Sequence, residues 1–157
     1  VTPADSSFLL RLRNDPETVA ASRQQRTVTQ DEHAAWLAAT LGDPRRRIMI
    51  VPRSPADALR YLDPRGWYRL DGIGSDQIEV SLAVAPESRG FGFAREIIAL
   101  AVEDALFDVP QPQSIIALVK RSNTRSLRAF LSAGFALSPP STDDGDLLLL
   151  GLRTEGP

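Results

Sequence analysis

The run Val80-Ser81-Leu82-Ala83-Val84-Ala85-Pro86-Glu87-Ser88-Arg89-Gly90-Phe91-Gly92-Phe93-Ala94 reads as a strand that turns through two glycines into a helix. That order of elements makes an anion cradle. Without side chains at Gly90 and Gly92 the backbone can come close to a ligand, and the first N–H groups of the following helix have no intrahelical partner. Those donors, with the positive end of the helix dipole behind them, favour a phosphate. A second stretch, Asn123-x-x-Ser126-x-x-x-Phe130-x-x-Ala133-Gly134-Phe135, follows the apolar run Ser114 to Val119. It predicts a short helix marked by Leu127, Phe130 and Leu131, with Gly134 at its C-cap.

Elements that could position these residues follow from local patterns. Thr2-Pro3-Ala4-Asp5 has the form of a helix start, and Phe8, Leu9 and Leu12 give that helix one apolar stripe to about Arg13. Asn14-Asp15-Pro16 reads as its stop. Thr29-x-x-Glu32 is a capping box, followed by Trp36, Leu37, Thr40 and Leu41 up to Gly42. Arg47 to Val51 predicts a strand ended by Pro52, and Ala58 to Leu62 and Trp67 to Leu70 both look strand-like. Gln77 to Ala85 alternates, with Ile78, Val80, Leu82 and Val84 on one face and Glu79, Ser81 and Ala83 on the other. Ala94, Ile97, Ile98, Ala101 and Ala105 form the stripe of the next helix. Phe135 to Leu137 and Leu147 to Leu152 suit a hairpin around Asp143-Asp144-Gly145. The expected fold is α/β (α+β): a mixed, mostly antiparallel sheet with helices on both faces.

Composition sets outer bounds. The 157 residues suit one domain spanning 1–157, and 43% hydrophobic with 24% charged content is that of a soluble globular chain. With 18 basic and 20 acidic residues the formal charge is −2, which offers no broad footprint for nucleic acid. There is no cysteine and one histidine, His33, so thiol catalysis and a multi-histidine metal centre are excluded. No apolar run reaches membrane-spanning length and residues 1 to 20 lack a signal-peptide core, so no membrane partner and a cytoplasmic location are expected. Abundant Ala, with Arg in place of nearly all Lys, reads as bacterial, GC-rich composition.

Arg89-x-x-Gly92-x-Ala94 and the Asn123 to Phe135 stretch, in that order, resemble the two signatures of the GNAT superfamily of N-acetyltransferases. The resemblance covers about Thr2 to Leu152. The family's fold has a first strand where this chain opens on a helix, so that strand is expected to be missing. Leu10-Arg11-Leu12-Arg13-Asn14-Asp15, Ser22-Arg23 and Asp31-Glu32-His33-x-x-Trp36 are similar to the branch that acetylates nucleotide-linked amino sugars, as in pseudaminic acid and spore-coat polysaccharide synthesis. Leu12 stands where that branch has Trp. Ribosomal-protein or peptide N-terminal acetyltransferases are the alternative, as is a catalytically weak acyl-CoA-binding module.

The resemblance implies acetyl-CoA as co-substrate, no metal, and direct transfer to a primary amine of a small-molecule acceptor. Backbone groups of Leu82, Ala83 and Val84 would meet the pantetheine amides. Arg89, Gly90, Phe91, Gly92, Phe93, Ala94 and Arg95 would hold the pyrophosphate. Asn123 and Ser126 would face the pantetheine or phosphate side, and Phe130 would pack beside the thioester. The amine must lose a proton before attack, and Glu79 is the candidate base, its other reading being a solvated or salt-bridged strand residue. Phe130 stands where many members carry a Tyr acid, leaving departure of CoA as the thiolate, or protonation by water, Ser126 or Tyr68. Arg13, Asn14, Arg23 and His33 are the candidate acceptor-binding residues, with Arg11 and Arg26 beside them at an entrance suited to an anionic acceptor. A lone His beside a capping box ordinarily lies on the surface, and Trp36 and Trp67 suit a core. The edge of the final hairpin would offer a homodimer surface.

Overall fold

The computed structural model describes residues 1–53, 64–107, 111–138 and 145–154. A 3-10 turn at Pro3–Asp5 leads into α1 (Ser6–Arg13), and then come α2 (Pro16–Ala21) and α3 (Gln30–Leu41). The strands β1 (Arg46–Val51), β2 (Gly66–Asp71) and β3 (Gln77–Val84) precede α4 (Phe93–Phe107). The chain continues as β4 (Ser114–Lys120), α5 (Thr124–Ser132), β5 (Ala136–Leu137) and β6 (Leu147–Arg153). The six strands lie in the order β1-β2-β3-β4-β6-β5, and only β3 and β4 run parallel. The mixed, mostly antiparallel sheet expected from the pattern is present. Ala58 to Leu62 and the Asp143-Asp144 turn lie outside the described residues.

Local chemistry explains the helices. Thr29 and Glu32 form the capping box, each side chain accepting from the other's backbone N–H, at 3.2 and 2.8 Å. The stop read at Asn14-Asp15-Pro16 is a corner: Pro16 occupies the first turn of α2, and Asp15 accepts from the Thr18 N–H at 3.2 Å. Aspartate before proline ends one helix and caps the next with the same residues.

Two cores flank the sheet. On one face Tyr68, Leu70, Ile78, Val80, Ile115, Ala117 and Val119 pack with Ile97, Ile98, Ala101 and Ala105 of α4, and Phe130 and Phe135 close that core. On the other, Leu9 and Leu37 cover Ile48, with Phe8, Trp36, Ile50 and Trp67 partly buried around them. Both tryptophans thus belong to packing. Glu79, Ser81 and Ala83, odd-numbered on β3, turn away from the α4 side.

Gly66 ties the sheet to the site. It pairs with Val84, and a Cβ added there would overlap the Ala83 carbonyl and stand 3.0 Å from Ile97 Cδ1. Neither backbone nor core can yield without moving the end of β3. Gly66→Ala is expected to cost about 1–3 kcal/mol, the range for overpacking, and to lower Tm by roughly 2–4 °C per kcal/mol. Thermal unfolding checks this.

Candidate functional site

The parallel strands β3 and β4 part early. They pair only from Gln77 to Glu79 against Ser114 to Ile116, whereas β2 follows β3 to Val84 and β6 follows β4 to Lys120. A wedge therefore opens between Val80–Val84 and Ala117–Lys120. The edge of β3 that faces it has no strand partner; apart from the Val84 carbonyl, which accepts from Arg89, its backbone groups there are available to a ligand. The N-termini of α4 and α5 follow directly from β3 and β4, and their dipoles favour negative charge at that end.

The cradle is built as its glycines require. Gly90 and Gly92 both have φ of +83°, the left-handed region where L side chains are strained. A Cβ at either would meet no atom within 4 Å, so the glycines face open space. Among the described residues the N–H groups of Gly90, Phe91, Gly92, Phe93 and Ala94 have no backbone acceptor; the first return bond of the loop is Arg95 N–H to the Gly92 carbonyl at 3.0 Å. Successive amides of this kind make an anion-binding nest. Arg95 is exposed and forms no ion pair among the described residues. It borders a groove of about 540 Å³ between α4 and α5, lined also by Ile98, Val102 and Ala133.

Arg89 is placed differently. Its guanidinium turns from the cradle into the α1–α2 corner, bonding Asp15 at 2.5 Å, Thr18 at 3.4 Å and the Val84 carbonyl at 3.2 Å. Its N–H donates to Pro86. Arg89 therefore shapes the loop, and its charge is already matched. Glu17 sits 3.4 Å from Arg89 and 2.7 Å from Arg125 of α5, joining corner, loop and α5. Asp15 was legible only as part of a helix stop; its contact with Arg89 spans 74 residues.

That pair sets a pH dependence. Burial works to raise the Asp15 pKa, but hydrogen bonds from Arg89 and Thr18 and the Arg89 charge hold it below the ordinary carboxylate value. A depressed carboxyl contributes stability above its unfolded-state pKa of about 3.9 and loses it as pH falls through the folded-state value. Arg89→Met is therefore expected to destabilise most near neutral pH, the gap from wild type closing below about pH 4. Urea unfolding across a pH series measures it.

Asn123 caps α5, its side-chain oxygen accepting from the Ser126 N–H at 3.1 Å. The Ser126 hydroxyl has no hydrogen-bond partner among the described residues. Phe130 is 3% exposed and meets Phe135 edge to face at 5.0 Å, so it supplies packing there and no proton. Tyr68 does not serve as an acid either: it faces α4 and its hydroxyl donates to Asp104 at 2.9 Å. Burial, then the bond to Asp104, push its pKa above the usual phenol range.

On the opposite face of the sheet the structure brings Glu79 and Arg23 together, at 3.4 Å. Asp71, the cross-strand partner of Glu79, is held by Arg69 at 2.7 Å and Arg46 at 3.2 Å. Asn14 and His33 lie elsewhere. The Asn14 amide grips the N–H and C=O of Val28, both at 2.8 Å, and so clamps the α2–α3 connection. His33 is buried, not on the surface as a lone His beside a capping box suggests. It is 3% exposed, its Nδ1 is 3.2 Å from the Ser6 hydroxyl, and its ring lies against Trp36. Burial, then the Arg13 charge, lower its pKa below the ordinary histidine value, favouring the neutral ring. The His33 Nε2 and Arg13 Nη1 are buried without a partner among the described residues. Arg26 is held by Glu32 and Arg11 by Glu87.

Among the described residues no three acidic or histidine side chains gather to hold a metal ion, and no helix is long and apolar enough to cross a membrane. The fold is that of a domain from Methanocaldococcus jannaschii, with TM-score 0.81 and 17% identity over 98% of this chain and 95% of that one. It is also that of spermidine N-acetyltransferase from Vibrio cholerae, crystallised with CoA and spermine, with TM-score 0.78 and 20% identity over 98% and 92%. No curated protein matches in sequence. The family model described as acetyltransferase (GNAT) domain matches residues 1–136. A wedge between parallel strands, opening beside an unpaired amide cradle, is thus carried by a chain that belongs to the GNAT acetyltransferase family.

Proposed function

We propose that this chain transfers the acetyl group of acetyl-CoA directly to a primary amine of a small molecule or a nucleotide-linked amino sugar, with Glu79 as the base. The observation that carries the reading is the row of five N–H groups from Gly90 to Ala94 that have no backbone acceptor among the described residues, in a loop whose two glycines border open space. That cradle fits a pyrophosphate. Gly90 to Ala94 would hold it through backbone N–H groups, with the exposed Arg95 as a cation next to them. The β3 edge from Leu82 to Val84 would bind the pantetheine amides, and the free Ser126 hydroxyl would lie on the pantetheine side. Acetyl-CoA supplies a thioester carbonyl, an acyl group that an amine lone pair can take.

Glu79 lies on the sheet face away from α4, where an amine can approach the wedge from the side opposite the α4 core. Its carboxylate would take the ammonium proton and pass it to solvent, a contribution of about 10²–10⁴ in rate. A base on one face and a cradle at the strand ends separate the acceptor from the anionic donor. The sequence likeness to the amino-sugar branch lies in residues of α1 and α3, and Arg13 and Arg23 would serve the acceptor.

The spermidine N-acetyltransferase of Vibrio cholerae shares the fold at 20% identity. Here Glu79, at the closed end of the wedge, and its cross-strand partner Asp71 are each met by arginine, which favours an acceptor less cationic than a polyamine. A second reading, a binding module without turnover, is favoured by Phe130, which removes a phenol from the wedge. Calorimetric titration of acetyl-CoA tests both. Micromolar binding followed by thiol release with an amine supports transfer, binding without release supports the module, and no binding overturns both.

A further inference from the structure

We infer that Arg23 selects the acceptor: it rests on Glu79 in the acceptor-free protein and moves onto an anionic oxygen of the acceptor, carboxylate or phosphate, leaving the Glu79 carboxylate free for the amine. The inference rests on the role proposed for Glu79 and adds the chemical class of the acceptor and the residue that reads it. Arg23 stands in the connection between α2 and α3, whose feet are fixed. The Ser22 hydroxyl donates to the Val19 carbonyl at 2.9 Å and accepts from the Gln25 N–H at 3.2 Å. Asn14 holds Val28 at the other end. Gln25 between them has φ of +46°, a turn conformation. With both feet held, the long guanidinium side chain is the part of this segment that can change partners.

Its present contact is easily exchanged. Arg23 reaches Glu79 through one nitrogen at 3.4 Å, with the two side chains 58% and 31% exposed. Exposed single contacts of this length are weak. Arg26, three residues on, shows the alternative geometry: two nitrogens meet the two oxygens of Glu32 at 3.1 and 2.9 Å, and one also donates to the Thr27 carbonyl at 3.0 Å. An acceptor carboxylate or phosphate offers Arg23 the two-pronged geometry it lacks. Asp71 cannot take over Glu79's place, because Arg69 and Arg46 already hold it. Charge thus moves between partners in one step: the acceptor's anion takes the guanidinium, and its ammonium takes the carboxylate. Over the reaction the acceptor nitrogen loses two protons, one to Glu79 and on to solvent, the other through water to the departing sulfur. Its lone pair becomes the new C–N bond as the C–S bond breaks.

Two measurements decide it. Protein saturated with CoA, so that the cradle is filled, is titrated with inorganic phosphate while the Arg23 Nε–H resonance is followed by NMR, the signal being assigned by its loss in Arg23→Gln. A saturable shift in the wild type, with phosphate affinity measured by calorimetry on the CoA-saturated proteins reduced by about tenfold or more in Arg23→Gln, supports the inference; a resonance unmoved by phosphate, or equal calorimetric affinities, overturns it. Glucosamine and glucosamine 6-phosphate are then compared as acceptors. The wild type is expected to prefer the phosphorylated amine, and Arg23→Gln to reduce that preference by about tenfold through KM. Equal losses on both amines, or a loss confined to kcat, overturn the selecting role. Phosphate binding at Arg23 without turnover of any amine leaves the anion site standing and removes the acetyltransferase reading instead.

Discussion

Gly92→Trp is expected to abolish measurable acetyl-CoA binding while the protein stays folded. Gly92 has φ of +83° and a Cβ there meets nothing within 4 Å, so the new side chain is accommodated outside the core, in the middle of the loop proposed to hold the pyrophosphate. The backbone strain of a left-handed L residue is about 1–2 kcal/mol, tolerable for a domain of ordinary stability. The loss at the cradle is larger. Hydrogen bonds to a charged group are worth about 1.5–3 kcal/mol each, so blocking two weakens binding by roughly 10²–10⁴. Calorimetry reads the affinity and circular dichroism the fold. Binding within threefold of wild type would remove the cradle from the account.

The second large effect is expected at Glu79. Glu79→Gln keeps the shape of the side chain and removes its capacity to take a proton, so kcat is expected to fall by about 10²–10⁴ with the acetyl-CoA affinity unchanged. The lost contact with Arg23, at 3.4 Å and exposed, is worth at most about 1 kcal/mol, so stability moves little. Those two readouts separate a base from a salt-bridged strand residue. A kcat within twofold of wild type would assign Glu79 to the second role and direct attention to a water chain.

How far the sequence reveals this depends on how local each determinant is. The Thr29–Glu32 capping box, the alternation of β3 and the glycines of the cradle act within a few residues, and each stands where the pattern predicts. The α1–α2 corner was hidden because Asp15-Pro16 carries stop and start signals at once. The burial of His33 depends on Ser6, 27 residues away, and so leaves no mark beside the capping box. Arg89 belongs to the motif, yet its guanidinium is claimed by a carboxylate 74 residues earlier, a contact that only the packed corner creates. The pairing of Arg23 with Glu79 spans 56 residues and joins two candidates chosen on separate grounds. Tyr68 is the converse case: its type suits an acid, and strand parity turns it toward Asp104 on α4.

The most direct test of acetyl transfer is the release of free thiol from acetyl-CoA by the purified protein, measured against neutral and anionic primary amines, with mass spectrometry of the amine product. One thiol released per amide formed, lost in Gly92→Trp and slowed by orders of magnitude in Glu79→Gln, is the predicted result. Thiol release that does not depend on an amine, or none across the panel despite bound acetyl-CoA, would contradict it.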